Sequence, residues 1–386
     1  MNPVIRQLCD ISIASLRGDQ YNEPLIDEKA LLVLAKTNGL IGLIYPLIKN
    51  EMSASDLSRM VERDYYAYIA ADIQQKTAAD LIDNLLNERG IDHIFLKGNN
   101  LKPLYPETYM RGMGDIDVLV RENARKQVKQ ALNKQKITLT GKAEHHDNYL
   151  YGKDVLIEVH YSLFPERHRF WDREPWNFAR QLKDCLYELE KEYELVYLLS
   201  HLAKHFLSSG VGLRSVLDIG LYLHRHSSLL DYDKLKSYVK KAGLETFFTN
   251  IIILNNMLFD FNLPETLCLS AQLSVGEYES IADYIATAGI HGYGQDFNSF
   301  SLQMASHQRR NKKKFSFYLG KIFPSYRSMK AVYPAICRYK VLLPLGWVLR
   351  WFRLMFNKGT YVKIKKLFIK REEVEENISF LQKIGL

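Results

Sequence analysis

The sequence predicts a mixed α/β (α+β) fold, in which a core with a small mixed sheet is flanked by helical N- and C-terminal regions. Two observations support this prediction. Between residues 91 and 165 the apolar residues fall in short runs, several of them alternating with polar residues, which is typical of strands. On both sides of this segment they recur at three- and four-residue spacing, which is typical of amphipathic helices.

Residues 1–90 are predicted to form a helical N-terminal region. A first clear helical segment, 28–36, is followed by a stop signal that includes Gly39. A second helix is expected to begin near Gln74 and to end at Gly90, which follows a basic last turn. Glycine is favoured at such ends because it takes the left-handed conformation that closes a helix.

Residues 91–165 are predicted to form the α/β core. The expected strands are 91–96, 115–120, 136–140 and a hairpin of 148–151 and 155–161. Helical spacing returns at about Leu182, so residues 182–308 are predicted to form a helical domain. The remaining residues, 309–386, are predicted to be a basic, aromatic C-terminal region.

The composition is that of an ordinary globular protein, with 47% hydrophobic and 25% charged residues in a chain of 386, a length that allows two or three domains. The four cysteines have no paired spacing, which argues against a zinc ribbon or a disulfide framework and fits a reducing cytoplasm. The N-terminus has no signal-peptide pattern, so a cytoplasmic location is expected.

The charge is unevenly distributed along the chain. Residues 309–370 contain 17 lysines and arginines and no aspartate or glutamate, which leaves 35 basic and 44 acidic residues elsewhere. Such a basic segment repels itself unless it meets anions. Three partners stay open: an anionic membrane surface, which would place the protein peripherally at the inner membrane face, RNA, and the acidic body of the same chain.

Two aspartates on one predicted strand are the first candidate functional residues. Residues two apart on a strand point to the same face, so Asp115 and Asp117 are expected to project side by side. Two adjacent carboxylates repel and raise each other's pKa. A divalent cation between them removes this cost, and oxygen ligands suit Mg²⁺ or Mn²⁺.

A third carboxylate follows on the predicted hairpin. Glu158 and His160 share one strand face, and the alternation with Ile157 and Val159 indicates a half-buried strand. If this strand lies beside the Asp115 strand, Glu158 completes a three-carboxylate site that can hold two cations. The alternative is an exposed hairpin with Glu158 in solvent.

Basic and glycine residues near these strands suggest phosphate binding. Gly98 would let a phosphate approach the backbone at the start of a short helix, and Lys97 adds a positive charge. Arg111 is a candidate phosphate clamp, because a guanidinium matches phosphate oxygens. The alternatives are a surface lysine at a turn and an arginine that neutralises Asp115.

Two histidine pairs are further candidates. His201 and His205 have the i, i+4 spacing of a zinc pair, but no third ligand is evident, so a packed pair is the expected arrangement. The alternative places His205 and Asp218 along the candidate phosphate-binding cleft. His145 and its neighbour His146 could reach the site from the loop before the hairpin.

The motifs around Lys97-Gly98, Arg111–Val120 and Ile157–His160 resemble the bacterial nucleotidyltransferase-like family, an uncharacterised family within the superfamily of DNA polymerase beta-type nucleotidyltransferases. The resemblance spans residues 94–163 and more weakly the helical flanks. It implies that Asp115 and Asp117 bind metal and that Glu158 is the third carboxylate. Asn99 stands after Gly98 where the superfamily usually has serine or glycine.

The resemblance implies a metal-dependent transfer of a nucleoside monophosphate from a nucleoside triphosphate (NTP) to an unknown acceptor, with release of pyrophosphate. Mg²⁺ or Mn²⁺ would be the cofactor, held by Asp115, Asp117 and Glu158. Lys97, Gly98, Arg111 and His160 would contact the substrate and its phosphates. Two alternatives stay open: a toxin-like enzyme of the same superfamily that modifies tRNA or a protein, and a non-catalytic nucleotide-binding scaffold.

Overall fold

A mixed sheet forms the centre of the fold in the computed structural model, which describes residues 1–143, 145–164, 174–292, 298–309, 313–333, 336–356 and 369–386. The strands are β1 (His93–Leu96), β2 (Asp115–Val120), β3 (Thr138–Lys142), β4 (His146–Tyr151), β5 (Val155–His160), β6 (Ala179–Lys183) and β7 (Leu186–Leu189). Within these residues the strand order is β3-β4-β5-β2-β1-β7-β6. The β2–β5 and β1–β7 pairs are parallel and the others antiparallel. The predicted α/β class is confirmed.

Helices cover both ends of the described chain. They are α1 (Pro3–Arg17), α2 (Glu28–Asn38), α3 (Ile41–Ile48), α4 (Asp56–Asn87), α5 (Gly98–Leu101), α6 (Arg125–Lys134), α7 (Lys191–Phe206), α8 (Leu213–Arg225), α9 (Tyr232–Ala242), α10 (Glu245–Phe259), α11 (Val275–Ala288), α12 (Ser299–Arg309), α13 (Lys314–Ile322), α14 (Tyr326–Val332), α15 (Leu343–Met355) and α16 (Arg371–Ile384). Among the described residues, no helix combines the length and the apolar character needed to cross a membrane.

The N-terminal helices confirm the predicted stops but not the predicted start of the second helix. Gly39 and Gly90 have φ angles of 66° and 62°, the left-handed conformation expected at these positions. Helix α4 begins at Asp56 rather than near Gln74, because the Ser55 side chain accepts a hydrogen bond from the backbone of the first turn and caps it. The first half of α4 carries few buried residues, so its apolar spacing gave little signal.

The two faces of β2 pack against different partners. Ile116, Val118 and Val120 are buried in a cluster with residues of α4 and α6. Leu119, on the opposite face, packs in a second cluster that includes Tyr193 and Tyr197 of α7. Because side chains alternate along a strand, Asp115 and Asp117 lie on the face that looks toward α7.

The sheet extends beyond the predicted core. Strands β6 and β7 form a hairpin, and β7 pairs with β1 over His93 and Ile94. The prediction that helical structure resumes at about Leu182 is therefore wrong, and α7 begins only at Lys191. Most of β6 is exposed and polar, so its sequence lacks the alternation of a half-buried strand. The division of the chain into the four predicted regions stays a prediction.

The largest apolar cluster lies among the helices rather than at the sheet. It joins α1, α2 and α3 to α7, α8 and α10, and also takes in Phe380 and Leu381 of α16. The contact between α7 and the face of the sheet that carries Asp117 is made instead by the cluster of Leu119 with Tyr193 and Tyr197, and a cleft lies between the sheet and the helices.

Candidate active site

The parallel pairing of β2 and β5 brings the predicted carboxylates together. Asp117 lies opposite Glu158 in the register, and Asp115 lies opposite Leu156. Register partners in neighbouring strands project to the same face, so the Asp117 and Glu158 side chains point into the same cleft. The sequence alone indicated each strand but not that these two were neighbours.

A histidine completes this group. His160 Nε2 lies 2.7 Å from Asp117 Oδ1 and 3.3 Å from Glu158 Oε2. One ligand atom from each of the three residues lies within 4.8 Å of the others, which is close enough for a shared cation. Asp115 lines the same cleft but is not part of this three-residue group.

The Lys97 side chain neutralises Asp117. Lys97 Nζ lies 2.7 Å from Asp117 Oδ1, where the Asp117 side chain is only 2% exposed. Lys97 has φ 49° and ψ −111°, a combination that glycine adopts easily and L residues adopt with strain. The backbone is therefore strained at the residue that places a half-buried ammonium group beside the carboxylates.

The electrostatic environment gives the two aspartates different pKa values. Burial and the neighbouring Asp117 carboxylate raise the pKa of Asp115 from 3.8 to about 6. Burial also opposes ionisation of Asp117, but Lys97 and the hydrogen bond from His160 outweigh it and lower the pKa of Asp117 to about 2. Burial opposes protonation of His160, yet its contacts with Asp117 and Glu158 raise the His160 pKa. Asp117 is thus the stably ionised aspartate of the cleft.

Gly98 is required by close packing. A Cβ atom at this position would lie 2.3 Å from Met113 Sδ and 3.3 Å from Arg111 Nη1. Such a contact is too short for a real Cβ, so a larger residue would displace the Met113 side chain. The short α5 begins at this glycine, at the edge of the cleft.

The Arg111 guanidinium is held by Asp218 of α8. Arg111 Nε and Nη2 lie 2.8 and 2.9 Å from the two carboxylate oxygens of Asp218, and both side chains are largely buried. The structure thus pairs Arg111 with Asp218 and not with Asp115, the partner that the sequence left open. The third guanidinium nitrogen of Arg111, Nη1, lies toward Gly98, the candidate phosphate-binding turn.

The cleft between the sheet and α7–α8 has a volume of about 480 Å³. All seven predicted site residues line it, namely Lys97, Gly98, Arg111, Asp115, Asp117, Glu158 and His160. The roles of these residues in binding or catalysis stay predictions. A cleft of this size is within the range that binds a nucleotide-sized ligand.

A family model described as "Uncharacterised nucleotidyltransferase" matches residues 24–260, more than half of the chain. The chain belongs to this nucleotidyltransferase family. No curated protein and no solved structure matches it. The family expected from the motifs is thereby confirmed.

The nucleotidyltransferase match covers every strand of the sheet and the helices that form the opposite wall of the cleft. It ends at Asp260, so the basic C-terminal region lies outside it. The seven predicted site residues are therefore all contained in the part of the chain that the family model matches.

The histidine pairs both lie at the cleft. His201 and His205 line it with Nε2 atoms 2.8 Å apart, and burial lowers the pKa of His201, so its ring is neutral. His201 and His205 are therefore a packed pair, as expected. His205 and Asp218 also line the cleft, as the alternative predicted. His145 and His146 also line the cleft, and with His160 they form a second group whose ligand atoms lie within 4.8 Å.

Two basic residues of the helical wall were missed by sequence reasoning. Lys204 and Arg214 line the cleft opposite the sheet. Arg214 Nη1 donates a hydrogen bond to the Gly112 carbonyl oxygen at 2.8 Å, which ties α8 to the loop before β2. Both residues lie in apolar helical sequences, and only the folded arrangement of helices on the sheet brings them to the site.

Proposed function

We propose that this nucleotidyltransferase moves a nucleoside monophosphate from an NTP to an acceptor hydroxyl or phosphate and releases pyrophosphate. The observation that carries the proposal is the register of β2 with β5, which sets Asp117 beside Glu158 in a cleft that also contains basic groups. Paired carboxylates next to lysine and arginine are the groups that a metal–triphosphate complex requires.

The residues present fit a divalent cation. Asp117 and Glu158 supply oxygen ligands, and the His160 Nε2 atom beside both carboxylates would complete the set once it gives up its proton. Oxygen ligands suit Mg²⁺ or Mn²⁺, and the imidazole in the set favours Mn²⁺. A cation bound here would neutralise phosphate charge and lower the pKa of an attacking hydroxyl.

The remaining groups of the cleft have roles that follow from their chemistry. Lys97 and Arg111 Nη1 would donate to phosphate oxygens at the Gly98 turn. Burial opposes ionisation of Glu158, but the hydrogen bond from His160 outweighs it and lowers the Glu158 pKa, so the carboxylate is ionised and can accept the acceptor's proton. The acceptor oxygen would form a bond to the α-phosphorus while the bond from that phosphorus to the bridging oxygen breaks, and pyrophosphate leaves with both electrons.

A thermal-shift experiment tests the proposed site without knowledge of the acceptor. The four NTPs would be tested with and without Mg²⁺ or Mn²⁺ on the wild type, on Asp117→Asn and on Asp147→Asn. Asp147 is a matched control, because it is also buried and paired with a basic residue, Arg125, but lies outside the cleft.

The expected result is a metal-dependent stabilisation by at least one NTP, of roughly 2.7 kcal/mol at a hundred times Kd. Asp147→Asn should keep this stabilisation although it melts at a lower temperature, and Asp117→Asn should lose it. An equal ligand shift in both variants would contradict the proposed metal–nucleotide site.

A transfer assay separates the enzyme from the two alternatives. An NTP labelled at the α-phosphate would be incubated with the protein, Mn²⁺ and either tRNA or a cell protein fraction. Label on tRNA or on a protein would support the toxin-like activity and name the acceptor class. A nucleotide-dependent thermal shift without pyrophosphate release under any of these conditions would favour the scaffold over transfer to tRNA or protein.

A further inference from the structure

Helix α15 exposes its apolar side. Its outward stripe and the residues that flank it recur at three- and four-residue spacing, and their side chains are between 37% and 84% exposed: Val341, Leu342, Leu345, Val348, Leu349, Phe352, Met355 and Phe356. Single exposed apolar residues are common, but a continuous stripe of this kind marks an interaction surface.

The opposite side of α15 is fixed to the protein. Trp347 Nε1 donates to the Pro324 carbonyl oxygen at 2.9 Å, and Trp351 Nε1 donates to the Ile322 carbonyl oxygen at 3.0 Å. Both indole rings pack edge-on against Phe323. The orientation of the helix is therefore set by these contacts, and the apolar stripe is left outward.

Helix α13 repeats the pattern next to α15. Phe315, Leu319 and Ile322 are exposed at i, i+4 and i+7 on one side of this helix. Exposed basic residues adjoin both stripes, among them Lys313, Lys314 and Arg353. We call the exposed apolar residues of α15, together with Val341, Leu342 and Phe356, the apolar face.

The positive charge around the apolar face indicates a negatively charged partner. Residues 309–370 contain no acidic residue, and the remainder of the chain has more acidic than basic residues. The described part of this acidic body does not cover the apolar face, since the side chains of the face stay exposed. Of the predicted basic region, residues 310–312, 334–335 and 357–368 lie outside the described residues.

We propose that the apolar face docks on the surface of an anionic lipid bilayer. Leucine, valine, methionine and phenylalanine side chains enter the boundary between headgroups and acyl chains, while adjacent lysines and arginines meet anionic headgroups. A single-stranded RNA would use the aromatic rings and basic groups but would leave the exposed aliphatic side chains without a partner. The proposal is independent of the candidate active site, because none of the residues of the face lines the cleft.

Vesicle flotation with the full chain tests this proposal. One set of vesicles contains only phosphatidylcholine, and the other contains equal parts of phosphatidylcholine and phosphatidylglycerol. The test variant is the double substitution Leu349→Glu/Phe352→Glu in the apolar face. The control is Ile73→Glu/Leu229→Glu, which makes the same charge change at two apolar residues that are even more exposed but lie elsewhere.

Wild type and control should float with the anionic vesicles and not with the neutral ones, and added salt should weaken this binding. The test variant should bind at least about tenfold more weakly, because it loses apolar area and gains two negative charges. Equal binding of the two double variants would overturn the proposal. So would equal wild-type binding to both kinds of vesicle, or wild-type binding to single-stranded RNA without binding to vesicles.

Discussion

Replacement of Asp115 by asparagine should stabilise the metal-free protein. In the cleft this carboxylate is half-buried beside the ionised Asp117, and its pKa is raised from 3.8 to about 6. The amide side chain would keep nearly the same shape and remove the repulsion. The protein would become more stable, and the cleft would lose one negative charge. Such a gain is expected when a group kept for function destabilises the fold.

The size of the effect follows from the pKa values. A raised pKa means that the folded protein binds the proton more tightly than the unfolded chain, so the ionised form is penalised. The penalty is complete above about pH 6 and disappears below the ordinary value of 3.8. Between these two values it grows to about 3 kcal/mol, at about 1.4 kcal/mol for each pH unit.

Thermal melting in the presence of a chelator measures this gain. Asp115→Asn should melt several degrees above the wild type at neutral pH, since 1 kcal/mol shifts Tm by roughly 2–4 °C in domains of 150–250 residues. The difference should shrink as the pH falls toward 4. The matched control is Asp154→Asn, an exposed carboxylate in the β4–β5 turn. A variant no more stable than the wild type at neutral pH, or a gain that persists at acidic pH, would refute the electrostatic explanation.

Two further substitutions test other features of the cleft. Lys97→Gly should be more stable than Lys97→Ala by about 1–3 kcal/mol, because glycine adopts the observed φ and ψ without strain; equal stability in denaturant titrations would show that the turn is relaxed. Asp218→Asn should cost about 3–5 kcal/mol, because it leaves the buried Arg111 guanidinium without its counter-ion; an unchanged melting temperature would contradict this role of the ion pair.

The elements that carry the carboxylates could be predicted from the sequence because their local signals are strong. In β2 the two aspartates alternate with Ile116 and Val118, and in β5 Glu158 and His160 alternate with Ile157 and Val159, which is the two-residue period of a strand with buried β-branched residues on one face. The alternation also predicted that Asp115 and Asp117 share a face. The family followed from the same residues and was confirmed by the family model.

The rest of the site depends on contacts between distant segments, which local periodicity does not contain. The pairing of Arg111 with Asp218 joins residues 107 positions apart, and the hydrogen bond from Arg214 to Gly112 joins residues 102 positions apart. Neither pair has a signal in its neighbouring sequence. The cluster of His160 with Asp117 likewise arises only when β5 lies parallel to β2.

Strand β2 explains how the fold tolerates an unfavourable carboxylate. Ile116, Val118 and Val120 are completely buried on one face, and burial of such side chains stabilises a protein by about 1.5–3 kcal/mol each. Their sum exceeds the penalty of about 3 kcal/mol on Asp115 that its raised pKa implies. Burial of the apolar side of β2 therefore keeps the strand in place, although the two carboxylates on its opposite side repel each other. Because the residues that stabilise the strand are separate from the carboxylates proposed to bind metal, we expect that Asp115 can be exchanged for its amide without loss of the sheet.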